Sequence, residues 1–104
     1  MDRFAEQGDI IWLPEEKNMA LVISKNFFNE TGLAVVCPVI RQAAADALHL
    51  PIRVGDEESV VLCEHLKTMD LNKRFYQKRG AIPYTLLQEA VDMVQSIFDY
   101  YPFG

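Results

Sequence analysis

Between Gly8 and Leu71 the chain alternates short apolar runs with Pro, Gly and polar turn residues, and that rhythm restricts the folds open to it. Ile10–Leu13 follows Gly8-Asp9 and is stopped by Pro14, after which Glu15-Glu16-Lys17-Asn18 forms a short polar turn. Met19–Ile23 is continuously apolar, as in a strand covered on both faces. Leu33–Ile40 is the strongest strand pattern, with Pro38 marking a bulge or an edge near its end. Leu48–Val54 (interrupted by Pro51), the turn Gly55–Glu58, the strand Ser59–Cys63 and, past a bend at Glu64-His65, the run Leu66–Leu71 complete the series. Lys25–Thr31 reads as one helical turn or a loop with Phe27 and Phe28 pointing inward, and Arg41–Ala47 as a short helix or a loop. Strands this short and this close build a small barrel-like sheet rather than alternating βα units.

The C-terminal part changes period. Leu87, Ala90, Val91, Val94, Ile97, Phe98 and Tyr101 recur at three–four spacing and predict an amphipathic helix packed on the sheet, with Glu89, Asp92 and Asp99 outside the stripe. Pro83 suits a first helical position, while Thr85-x-x-Gln88 has the spacing of a capping box, so the start is defined to within two residues. The expected fold class is therefore mainly β, a curved sheet closed by one helix. At 104 residues, 1–104 is expected to form a single domain.

No apolar run has the length of a membrane span and no basic leader with an apolar stretch opens the chain, so an untargeted cytoplasmic protein is expected. Cys37 and Cys63 lie in strand-like aliphatic runs, which suits buried reduced thiols better than a disulfide framework. His49 and His65 have no zinc-type spacing with them, so no metal and no cofactor are expected. A net charge of −5 argues against generic nucleic-acid binding. That charge is unevenly placed: from Glu64 to Arg79, Lys67, Lys73, Arg74, Lys78 and Arg79 oppose Glu64 and Asp70, a local +3 that leaves −8 on the remainder.

Three segments, in order, resemble the MazF/PemK (Kid) family of toxin endoribonucleases. Gly8-Asp9-Ile10-Ile11-Trp12 is similar to the family's opening strand. Ala20–Ser24 with Phe27-x-Asn29 and Thr31–Pro38 is similar to its second block, and Val60–Asp70 to its acid-containing signature. The resemblance runs from Gly8 to the final helix and implies a homodimer of small SH3-like barrels, single-stranded RNA as substrate, an acidic antitoxin peptide as partner, and catalysis without a metal. The departures are local. Where the family commonly has a catalytic arginine, threonine or serine, and in one branch a second arginine, this chain has Asn18, Ile40 and Leu62, and its loop between the first two strands is cut to Pro14–Asn18.

Such a ribonuclease needs a base for the 2′-hydroxyl, an acid for the leaving 5′-oxygen and a cation for the phosphorane. The candidates are Glu64, at the family's acid position, His65, because imidazole ordinarily titrates near ~6.5, and Arg41, one residue beyond the lost threonine. Each has a plain alternative: a backbone-bonded acid, a sheet-edge histidine and a surface charge. Lys67, Thr68, Lys73, Arg74 and Gln42 are the expected RNA contacts, or else they keep an exposed edge soluble. Phe75-Tyr76 could stack bases or anchor their loop. His49 is expected to be structural. The same features also fit a catalytically silent dimeric relative that binds an antitoxin-like peptide or acts in regulation.

Overall fold

A computed structural model describes residues 4–41 and 44–98. Seven antiparallel strands form one curled half-barrel: β1 (Asp9–Leu13), β2 (Asn18–Val22), β3 (Leu33–Ile40), β4 (His49–Val54), β5 (Glu57–Leu62), β6 (Lys67–Asp70) and β7 (Gln77–Ala81). A one-turn α1 (Asn26–Asn29) precedes β3 and α2 (Tyr84–Ser96) follows β7. The sheet order is β4-β5-β3-β2-β1-β7, with β6 also on β3. The expected strands are all present.

The continuous apolar runs have a direct cause. Side chains alternate across a strand, and this sheet has apolar cover on both faces. Ile10, Leu21, Cys37, Val39, Val61 and Cys63 face one core, which Ala90 and Val94 of α2 join. Ile11, Leu13, Ala20, Val22, Ala34 and Val36 face a second, with Ala5 and Met69. Ile11, Leu21, Val22 and Val61 are wholly buried, and truncating any such residue to alanine typically costs ~2–5 kcal/mol. Both cysteines remain free buried thiols, and desolvation pushes Cys37 up to about 12 and Cys63 up to about 11.

Pro38 shows how a central strand tolerates proline. β3 pairs β6 through Leu33–Val36 and β5 through Val39 and Ile40, so Pro38 falls in the gap between the two partners. On that flank there is no ladder bond for it to remove.

Local details differ from the sequence pattern. Phe27 is 74% exposed and Asn29 is the buried residue of α1, because Asn29 bonds Ser24 through both ends of its amide. Of the two readings of Arg41–Ala47, the described residues take the loop, where Asp46 bridges to His49. α2 starts at Tyr84 with Pro83 as its N-cap, and no side chain caps it, so the Thr85–Gln88 box does not form. Finally, β7 arises from polar Gln-Lys-Arg-Gly-Ala, which has no strand signature of its own and is ordered by pairing with β1. Within α2 the stripe is shorter than its periodicity suggests: Ile97 and Phe98 are exposed, while Tyr101 and Asp99 lie outside the described residues.

Candidate functional site

The bend between β5 and β6 gathers a carboxylate between two imidazoles. Glu64 accepts from His49 Nε2 at 2.8 Å, and His65 Nε2 stands 3.5 Å from the same oxygen. At the other ring nitrogen of His49 are the Ala44 carbonyl and the Asp46 carboxylate, each at 3.2 Å. Two acceptors facing both nitrogens are satisfied together only by imidazolium. Hence His49 is shifted up, chiefly by its bond to Glu64, and Glu64 is shifted down, chiefly by its bond to His49. His49 thereby ties the segment before β4 to the β5–β6 bend, consistent with the structural role expected for it. His65 is exposed, without another polar partner among the described residues.

Arg41 is elsewhere. It follows β3 and pairs with Glu57 at 2.9 Å, at the start of β5, while Glu64-His65 lies beyond that strand's end. Five steps of strand from Glu57 to Leu62 are roughly 17 Å. Within this chain, therefore, Arg41 does not join Glu64 and His65 around one phosphate.

The basic segment is largely neutralised by acids distant in sequence. Lys67 bonds both oxygens of Glu16, at 3.0 and 3.1 Å, and Arg74 reaches Glu16 at 3.1 Å and Glu15 at 3.7 Å. Glu16 is shifted down, first by the Lys67 bond. Lys78 pairs with Asp9 at 3.2 Å. Of the expected RNA contacts, Lys73 has no acid partner among the described residues and Thr68 is exposed on β6, while Gln42 lies outside the described residues. The aromatic pair divides: Phe75 is 81% exposed, whereas Tyr76 packs against the second core.

A feature with no sequence signal lies at the end of the first core's face. Trp12, Met19 and Val54 form the apolar part of a recess of about 560 Å³, with Arg41, Gly55, Glu57 and Arg79 around them. Arg79 stands over the Trp12 ring, 5.4 Å from its centroid. β7 pairs Lys78 with Ile11 and Gly80 with Ile10, so Arg79 is the extra residue at a shift in register. Such bulges re-aim a side chain. Asn18 and Ile40 belong to the same neighbourhood, because the register that pairs Met19 with Val39 brings them opposite each other one step further on. Asn18 Oδ1 is buried with no hydrogen-bond partner among the described residues.

Residues 6–98 match the sequence model of a family described as PemK-like, MazF-like toxin of type II toxin-antitoxin system. The endoribonuclease toxin ChpB of Escherichia coli (strain K12) is 28% identical over 85 residues, spanning 77% of this chain and 73% of the relative. Among solved structures, a crystal structure of MazE–MazF from Deinococcus radiodurans has a TM-score of 0.81 at 29% identity, covering 93% of this chain and 98% of that one. MazF of the same organism crystallised by itself gives 0.79 at 28%, covering 93% and 98%. A Mycobacterium tuberculosis toxin, MazF-mt6, shares the fold alone, with a TM-score of 0.73 at 14% identity over 89% and 99% of the two chains.

Proposed function

The chain belongs to the PemK-like, MazF-like toxin family of type II toxin–antitoxin systems, and on that premise we propose that it cleaves single-stranded RNA at the β5–β6 bend. The observation carrying this reading is the exposed His65 imidazole beside the Glu64 carboxylate, at the head of the edge that holds Lys67 and Thr68. In the reaction, the ribose 2′-oxygen bonds to the adjoining phosphorus as its proton passes to Glu64. The P–O5′ bond then breaks as His65 donates a proton to the leaving oxygen, giving a 2′,3′-cyclic phosphate and a free 5′-hydroxyl. Lys67 supplies charge to the phosphorane once RNA draws it from Glu16. Arg41, at the far end of β5, engages another phosphate of the same strand.

We further propose that the working unit is a homodimer in the cytoplasm and that an acidic antitoxin segment competes for the same cations. Support for the antitoxin partner comes from the Deinococcus radiodurans relatives, solved as MazE–MazF complexes. Among the described residues no helix is long and apolar enough to cross a membrane.

The test is incubation of purified protein with mixed-sequence RNA in EDTA. Discrete products ending in cyclic phosphate are expected, with His65→Ala lowering the rate by roughly 10²–10⁴-fold. A second reading, a silent relative that only binds a peptide, is favoured by Asn18 and Ile40 at the usual catalytic positions and by the occupied Lys67 and Arg74. Intact RNA across varied sequences, together with no growth arrest on expression, would overturn the nuclease reading.

A further inference from the structure

We propose that His49 is a positioning residue for cleavage at the β5–β6 bend: its ring fixes Glu64 Oε2, leaving the other carboxylate oxygen to meet the ribose 2′-hydroxyl. This role rests on the cleavage reading, and it gives the bend a second histidine that never touches the substrate.

The ring is held at both ends. Its Nε2 is 2.8 Å from Glu64 Oε2, and its Nδ1 is 3.2 Å from both the Ala44 carbonyl and the Asp46 carboxylate. With both nitrogens engaged, His49 has no proton to exchange with a substrate. Its side chain is 22% exposed against 61% for His65, so of the two imidazoles His65 is the one an RNA strand can reach.

The backbone around the contact is fastened without that ring. Cys63 N–H donates to the Leu48 carbonyl at 2.9 Å and His65 N–H to the Leu62 carbonyl at 3.1 Å. Asp46 and His49 exchange backbone bonds at 3.2 and 3.3 Å, and the β4–β5 ladder runs as far as His49 opposite Leu62. What these bonds leave undetermined is the Glu64 side chain, which costs rotamer entropy to hold in one place. The His49 bond acts on that part. His65 Nε2 stands 3.5 Å from the same Oε2, so both imidazoles address one oxygen and the second is left for an incoming hydroxyl. Placing a base in this way counts for much, because a misplacement of about 1 Å can cost roughly 10²-fold in rate.

The charges fit the reaction as well. His49 is raised above 6.5, first by its bond to Glu64, with the Ala44 carbonyl and Asp46 acting in the same direction. Glu64 is lowered from 4.5, first by its bond to His49. Cys37 of β3 and Cys63 of β5, the other titratable groups beside Glu64, are neutral thiols pushed up to about 12 and about 11. While Glu64 is ionised, it and the His49 cation cancel each other. Once Glu64 takes the 2′-proton its charge is gone, the phosphorane has gained one, and the His49 cation acts on that new negative charge.

The experiment measures single-turnover cleavage of mixed-sequence single-stranded RNA by the full-length protein in EDTA, from about pH 4 to about pH 9. His49→Gln keeps an amide donor for Glu64 and removes the cation. It should lower the rate roughly tenfold to a hundredfold, with unchanged affinity for a labelled, 2′-O-methylated RNA read by anisotropy. The acid limb of its rate profile should move up toward 4.5, since Glu64 without the cation takes up a proton at higher pH. Circular dichroism checks the fold. If glutamine perturbs it, His49→Ala is assayed with added imidazole, which re-enters the space between Asp46 and Glu64; recovery of the rate supports the role and none overturns it. An acid limb unmoved in His49→Gln overturns the positioning role, whether the rate stays normal or falls in step with RNA affinity, and leaves cleavage at the bend standing. No cutting by the unaltered protein overturns the cleavage reading and this role with it.

Discussion

Two basic regions of this sheet look alike in composition and differ in what their charges are doing. On the β6 edge, Lys67 and Arg74 converge on one carboxylate, Glu16, supplied by the shortened turn between β1 and β2. At the β7 edge, Arg79 has an aromatic ring beneath it and no ion pair among the described residues, the acid of that recess, Glu57, being paired with Arg41. The first region is a closed electrostatic unit that a ligand must open. The second is open already. The lesson is that counted charge does not measure binding capacity; the nearest counter-charge does, because Coulomb energy falls with distance and is screened beyond about 10 Å at ~0.1 M salt.

The largest effect should come from breaking both regions together. Leu21, wholly buried on β2 between them, packs the first core; Leu21→Ala should lower stability by ~2–5 kcal/mol in urea unfolding. An effect below ~1 kcal/mol would mean that this face of the sheet is not a true core.

Next is the release of the closed region. Glu16→Gln frees Lys67 and leaves Arg74 only the longer 3.7 Å contact to Glu15, which a phosphate displaces, so single-stranded RNA affinity should rise about threefold to tenfold. The dependence of log affinity on log salt should steepen by roughly 1.4, since each phosphate-bound cation adds ~0.7 on a single strand. Because the ion pairs are part-exposed, the stability lost should be at most about 1 kcal/mol. An unchanged salt slope would show that these cations have no RNA role even when unmasked.

A pH titration separates the bend from both regions. His49 is raised above its ordinary 6.5, so its stabilising contribution is full below that value and is lost as pH rises through the higher folded value. Glu64 is lowered from 4.5, so its contribution is full above that value and is lost as pH falls through the lower folded one. The contact should therefore hold best between ~4.5 and ~6.5. NMR titration of the His49 ring should give a midpoint above 6.5, returning toward it in Glu64→Gln. A midpoint unmoved by that substitution would remove Glu64 as the cause. The smallest effect belongs to Phe75→Ala, which should change stability by no more than ~0.5 kcal/mol because the ring is already in solvent.

Much of the architecture was legible along the chain. β3 spans Leu33–Ile40 as its pattern indicates, and the other apolar runs became strands with ends moved by one or two residues. These succeed because two-sided burial writes itself as unbroken apolar sequence. β7 was not legible, since its residues are polar and its order is borrowed from β1. The inward residue of α1 was also misread: the pattern favours phenylalanine inside, but Asn29 satisfies its amide on Ser24 and takes the buried place.

The basic stretch that stands out in the sequence met a similar limit. Its residues were visible, as was the acid-containing signature beside them, and the family resemblance they carried is borne out by the match over residues 6–98. Their pairing was not visible, because Glu16 is 51 positions from Lys67 and 58 from Arg74.

By itself the sequence determined the strand rhythm, the closing helix and the family, all of which are set by local periodicity and short ordered motifs. Tertiary structure alone decided which cations remain free, that Arg41 stands a strand's length from Glu64 and His65, and that Trp12 meets Arg79. Those facts depend on sheet register. A one-residue shift in register turns a side chain to the opposite face, and at β7 such a shift set Arg79 above Trp12.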